Sequence, residues 1–110
     1  MQELRTQAEF ETLWLNKENT SPWIVYFTKD DCAPCRLLDK AAIIAAAGDI
    51  PIYMVNLSVN KYTPGFCNIT RFPTFVIIRN QGVKQRIIAI LTSSNTENVC
   101  KWLTDFREIQ

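Results

Sequence analysis

The sequence predicts an α/β domain in which a mixed five-stranded sheet is flanked by about four helices. Three observations carry this expectation. In the first half, apolar runs of strand length alternate with helix-like stretches, the pattern of parallel strands joined by crossover helices. In the second half, two β-branched runs flank Asn80-Gln81-Gly82, which reads as the turn of a hairpin and adds antiparallel strands. The chain has 110 residues, 47% of them apolar, which is enough for one domain (1–110) with its own core.

The elements follow in order. Residues 2–5 form a short first strand. Thr6 and Glu9 have the spacing of a capping box and open a helix over 7–17, with Phe10, Leu13 and Trp14 on its core face. Asn19-Thr20-Ser21-Pro22 stops the pattern. The second strand, 23–28, is nearly all apolar, which places it centrally in the sheet. The loop Lys29-Asp30-Asp31 leads to two cysteines and then to an alanine-rich helix over 36–47 that Gly48 ends. A third strand covers 52–57. Residues 60–70, with Pro64-Gly65, read as a turn or a short helix. Pro73 opens the fourth strand at 74–79, and the fifth covers 83–91. Ser94 and Glu97 repeat the capping spacing and start a last helix that buries Val99, Trp102, Leu103 and Phe106. The three tryptophans sit in apolar patterns and read as core.

Composition excludes several classes of function. Net charge is +1, which gives no basis for a nucleic-acid or membrane surface. No apolar run reaches the roughly 18 residues of a membrane span. The segment Met1-Gln2-Glu3-Leu4-Arg5 has no apolar leader, so a cytoplasmic, reducing compartment is expected. Histidine is absent, which removes Ser-His-Asp and Cys-His catalysis and every His-containing zinc site. Chemistry is left to thiols, carboxylates, tyrosine and water.

The chemistry centres on Cys32-Ala33-Pro34-Cys35, at a strand-to-helix turn. In a βαβ setting this spacing is the redox reading of a cysteine pair. The free N–H groups and dipole of a helix start favour an anion, so Cys32 is expected to be an exposed, acidic thiol. Pro34 suits the first turn. Cys35, one turn deeper, is expected to be shielded and to attack a mixed disulfide at Cys32. The same spacing is also half a zinc site, but the remaining Cys67 and Cys100 do not form a second such pair. They read as a loop residue, with a regulatory thiol as its alternative role, and a helix packing residue. Asp30 and Asp31 are at their simplest a solvated loop. Beside Cys32 they would oppose its thiolate and repel acidic clients, with Arg36 offsetting them.

Cys32-Ala33-Pro34-Cys35, the apolar strand ending at Phe27, the segment Phe72-Pro73-Thr74-Phe75 and the hairpin near Arg79-Asn80-Gln81-Gly82 together resemble the thioredoxin family over essentially the whole chain. The resemblance implies a thioredoxin fold and a thiol–disulfide oxidoreductase that reduces protein disulfides, with Cys32 and Cys35 catalytic and no cofactor in the chain. It implies a cis Pro73 against the disulfide, with Asp31, Ala33, Pro34, Phe72, Pro73 and Thr74 facing a client peptide. It also implies disulfide-containing client proteins such as ribonucleotide reductase, a flavin- and NADPH-dependent thioredoxin reductase, and a monomeric state. Glutaredoxins differ: after the hairpin this chain has Leu91-Thr92-Ser93-Ser94-Asn95 in place of their Gly-Gly pair.

The departures from the family pattern are specific. Asp31 replaces its tryptophan and Ala33 its glycine. Tyr26 stands where the family buries an aspartate, and Met54 where it carries the neighbouring lysine. Tyr26, Asp30 and Arg36 are therefore the residues expected to tune the thiol pKa values. A tyrosine is a poor base near neutrality. A redox-impaired binding or scaffold subunit on the same fold is the competing expectation.

Overall fold

A computed structural model describes residues 1–81 and 84–109. The strands are β1 (Gln2–Glu3), β2 (Trp23–Thr28), β3 (Ile52–Asn56), β4 (Thr74–Gln81) and β5 (Lys84–Thr92). The helices are α1 (Gln7–Trp14), α2 (Lys40–Ala47), the single turn α3 (Thr63–Phe66) and α4 (Thr96–Glu108), with a 3-10 turn at Pro34–Leu37. The sheet order is β1-β3-β2-β4-β5. β1, β3 and β2 run parallel, while β4 is antiparallel to β2 and β5 to β4. The expected mixed five-stranded sheet is present, with β2 at its centre.

β2 is buried along its whole length because both of its faces are covered. Trp23, Val25 and Phe27 point to a cluster with Phe10, Cys67 and Val76. Ile24 and Tyr26 point the other way, to a cluster with Ile43, Phe75, Val99 and Leu103. The strand's period of two thus places α1 and α3 over one face and α2 and α4 over the other.

Several boundaries differ from the sequence expectation, each for a local reason. α1 stops at Trp14, not at residue 17: Asn16 Oδ1 accepts from Glu18 N–H, and this turn competes with further helix. The helix expected over 36–47 is broken. Leu38 is extended at ψ 137°, and Asp39 then caps α2 by accepting from Ala42 N–H at 3.1 Å. Asn80 and Gln81, read as turn residues, are the last residues of β4. Gly82 and Val83 lie outside the described residues. α4 is capped by Asn95, whose Oδ1 accepts from Asn98 N–H at 2.9 Å, so the Ser94–Glu97 spacing is not the cap. Asp39 and Asn95 each satisfy a helix-end donor that the expected Ser94–Glu97 pair and unbroken helix would have left open.

Gly48 ends α2 as expected, at φ +63°. A Cβ there would lie 2.6 Å from Arg107 Cζ, and Arg107 Nη1 donates to the Ala46 carbonyl at 3.0 Å. The glycine thus makes room for a cation from α4 at the carbonyl end of α2. A second tie at the other end of that pair, Asp39 N–H to Thr96 Oγ1 at 3.0 Å, fixes where the chain leaves the cysteines.

Candidate active site

The carboxyl ends of parallel strands β2 and β3 lie side by side, with Thr28 opposite Asn56. In sheets of this kind ligand crevices form at such ends. The chain leaving β2 turns through Lys29, Asp30 and Asp31 into Cys32 and Cys35, which are joined as a disulfide with Cα atoms 5.3 Å apart. Cys35 N–H donates to Cys32 Sγ at 3.2 Å. The backbone donor expected at a helix start is therefore present, but it comes from a four-residue 3-10 turn and not from a long helix. The dipole contribution of so short a turn is small, and the direct hydrogen bond is the larger interaction offered to the Cys32 sulfur.

The expected contrast in exposure is not seen. Cys32 is 2% exposed and Cys35 6%. With the disulfide closed the two sulfurs fold inward, and Asp31, Ala33 and Pro34 take the exposed positions around them. Beside the disulfide opens a cavity of about 580 Å³, whose wall includes Tyr26, Asp30, Cys32, Cys35 and Arg36. The three residues expected to tune the thiols are thus gathered with both cysteines. Tyr26 is buried, stacks on Phe75 with ring centroids 4.9 Å apart, and has Lys40 Nζ 6.0 Å from its ring. Met54 pairs with Tyr26 across β2 and β3 and lines the same cavity. Where the family places a carboxylate and an ammonium, this chain has a phenol and a thioether.

Asp31, Ala33, Pro34, Phe72, Pro73 and Thr74 do not line the cavity. The sheet brings the last three to the same end of the molecule, because Thr74 lies opposite Phe27 on antiparallel β4. The Phe72–Pro73 peptide bond is cis. Lys29 Nζ sits 5.4 Å from the Phe72 ring, a contact from the loop before the cysteines to the segment before β4. Thr74 Oγ1 donates to the Arg71 carbonyl at 2.7 Å and lies 2.7 Å from Thr92 Oγ1.

Asn56 was not among the sequence candidates. Its Nδ2 donates to Asp30 Oδ1 at 2.8 Å, and it too lines the cavity. The available signal was topological: Asn56 ends the parallel strand next to the one that leads to the cysteines. Arg36 Nη1 reaches the Asp30 carbonyl only at 3.5 Å, the outer limit of a hydrogen bond.

The other two cysteines stand apart from this chemistry. Cys67 ends α3, is 4% exposed, and burial pushes its thiol from the usual 9.0 up to about 12. That burial corrects the sequence reading, which made it a loop residue and a candidate regulatory thiol. Cys100, half-buried on α4, is raised by burial and then by the charge of Asp39. Among the described residues no group of three or more Cys, Asp or Glu side chains is placed to hold a metal ion.

A family model described as Thioredoxin matches residues 2–104. The chain belongs to the thioredoxin family. Its Cys32–Cys35 pair makes this thioredoxin-family chain a thiol–disulfide oxidoreductase. No curated protein matches it in sequence. Among solved structures, it is similar to the thioredoxin of Fasciola hepatica, at 24% identity and TM-score 0.74 over 96% of this chain and 98% of that one. It is similar to the thioredoxin of Trypanosoma brucei brucei at 17% identity and TM-score 0.79, covering 96% and 89%. The thioredoxin of Plasmodium falciparum gives 19% and 0.79, covering 96% and 99%. At these identities the neighbours establish the thioredoxin fold, while the family match and the cysteine pair carry the class of chemistry.

Proposed function

We propose that this thioredoxin-family chain reduces disulfide bonds in client proteins. The observation that carries the reading is the Cys32–Cys35 disulfide at the end of the central strand, with Cys35 N–H bonded to Cys32 Sγ. In the reduced protein that N–H stabilises a Cys32 thiolate, the nucleophile of exchange. Cys32 attacks one client sulfur, and the S–S electron pair leaves with the other, which takes up a proton. Cys35 then loses its proton and attacks Cys32 Sγ. The Cys32–Cys35 bond forms, the mixed disulfide breaks, and the second client sulfur leaves as a thiol. Two electrons have passed to the client. A dithiol reductant restores the pair, for which a thioredoxin reductase is the fitting class. Phe72, Pro73 and Thr74 lie at the same end of the sheet as the disulfide and would pair with the client backbone, flanked by Asp31, Ala33 and Pro34. The chain would work as a monomer in a reducing, cytoplasmic setting.

The replacement of the family's proton-handling pair by Tyr26 and Met54 favours a second reading, a scaffold subunit with weakened chemistry. One experiment separates the two. With dithiothreitol as electron source, the protein should accelerate the reduction of insulin disulfides well above the dithiothreitol background. Cys32→Ser should return the rate to that background, and Cys35→Ser should accumulate a covalent protein–insulin adduct. A wild-type rate equal to background establishes the scaffold.

A further inference from the structure

In the second half of the exchange Cys35 must lose a proton before it attacks, and some group must receive it. A phenol such as that of Tyr26 is a poor general base near neutrality. Three cations line the cavity, Lys29 from the loop, Arg36 from the 3-10 turn and Lys40 from α2, and none accepts a proton there. From β3 only the uncharged Met54 and Asn56 face it. Asp31 and Asp39, exposed like Asp30, do not line it. Among the described residues Asp30 is the one carboxylate on the cavity wall.

The position of Asp30 is set by a closed ring of hydrogen bonds. Asn56 Nδ2 donates to Asp30 Oδ1 at 2.8 Å, Asp30 N–H donates to Ser58 Oγ at 3.0 Å, and Ser58 N–H donates to Asn56 Oδ1 at 2.9 Å. The bond from Ser58 orients the Asn56 amide so that its NH₂ faces the carboxylate. An amide neither gives up nor takes up a proton here, so Asn56 can hold Asp30 in place without competing for one. An open, polar-walled cavity of this size fills with water, which can relay a proton between wall groups.

Building on the reading of the chain as a protein-disulfide reductase, we propose that Asp30 accepts the Cys35 proton through water in this cavity, and that Asn56 positions it. The proton passes from Cys35 Sγ to the Asp30 carboxylate as the Cys35–Cys32 bond forms. The Cys32–client bond breaks, its electron pair leaves with the client sulfur, and the proton returns from Asp30 to that thiolate. No other reactant is needed.

The test is single-turnover decay of a preformed mixed disulfide between Cys32 and a small protein thiol, followed from pH 6 to pH 10. In Asp30→Asn, Cys35 should resolve the adduct about tenfold more slowly at pH 7, at or below the low end of the range for a positioned general base. The two proteins should converge as pH approaches the thiol's own pKa, where no acceptor is needed. Asn56→Ala should show a smaller loss of the same shape, and Asp30→Glu should recover most of the rate. The initial attack by reduced Cys32 should be unchanged or faster, since a negative charge near it has gone. Profiles that superimpose on wild type overturn the proposal, and so does parallel slowing of both steps at every pH, which marks a structural role. Failure of the wild-type protein itself to reduce insulin would instead overturn the reading on which the proposal rests.

Discussion

The central strand β2 is finished in opposite ways at its two ends. At the Trp23 end a buried amide is committed to holding the fold. Asn80, with no exposed surface, donates to the Leu13 carbonyl at 2.8 Å and the Asn16 carbonyl at 2.9 Å, and accepts from Trp23 Nε1 at 3.4 Å. One amide thereby ties the end of α1 to β2 and β4 and leaves no donor or acceptor of its own unmet. At the Thr28 end β2 stops at a water-accessible cavity, with the disulfide and the Tyr26 phenol on its wall. The first end spends its polar groups on holding the fold. The second leaves carboxylate, amide and cations facing solvent, where they can act on a reacting sulfur. Structural and reactive polar groups are thus placed at opposite ends of β2.

Substituting the two ends should separate these roles, with the largest effect expected at the open end. Tyr26→Asp removes a stacked aromatic from a buried site and places a carboxylate among apolar side chains. A loss of about 3–5 kcal/mol in unfolding free energy is expected, from the cavity and the burial of charge together. The same variant should resolve the mixed disulfide faster at pH 7, because it restores a base beneath the cysteines. Denaturant unfolding and single-turnover rates check the two halves. A variant as stable as wild type and no faster would show that Tyr26 only fills space.

At the closed end, Asn80→Ala should cost about 2–3 kcal/mol, because it leaves Trp23 Nε1 and two carbonyls without partners in a dry site. The exchange rate per folded molecule should stay at the wild-type value. A change in that rate without a change in stability would break the division between the ends.

The smallest effect concerns the thiols away from the site. Cys67 should resist alkylation in the folded protein near neutral pH, while Cys100 labels first. Below pH 9.0 Cys67 carries its proton in both folded and unfolded chains and adds no pH dependence. As pH rises from 9.0 toward about 12 the unfolded chain ionises it and the folded chain does not, so stability is lost across that window. In Cys67→Ala that alkaline loss should shrink, as read from unfolding midpoints at pH 8 and pH 11.

Local patterns were readable without the fold wherever one physical requirement acts over a few residues. The apolar run from Trp23 to Thr28, the Thr6–Glu9 spacing and the glycine at position 48 each reflect a constraint between near neighbours, and the structure places β2, α1 and the end of α2 accordingly. The cysteine pair was legible for the same reason, and Phe72-Pro73-Thr74 through the resemblance to the thioredoxin family. Gly48 shows the limit of such reading, since its place at the end of α2 was legible while the Arg107 guanidinium that fills the space above it was not.

What the sequence by itself determined was the inventory: a mixed sheet with β2 at its centre, a redox cysteine pair, no histidine, and a tyrosine in place of a buried carboxylate. The tertiary structure alone decided which of these side chains meet. Asn56 and Asp30 are 26 residues apart in the chain, and Asn80 and Leu13 are 67 apart. No local propensity encodes such pairs, because each exists only once the sheet register has brought two strand ends or a strand and a helix together. The same holds for the burial of Cys32. A helix start favours an exposed thiolate, but the packed loop and the closed disulfide turn both sulfurs inward, and contacts across the fold outweigh the local preference.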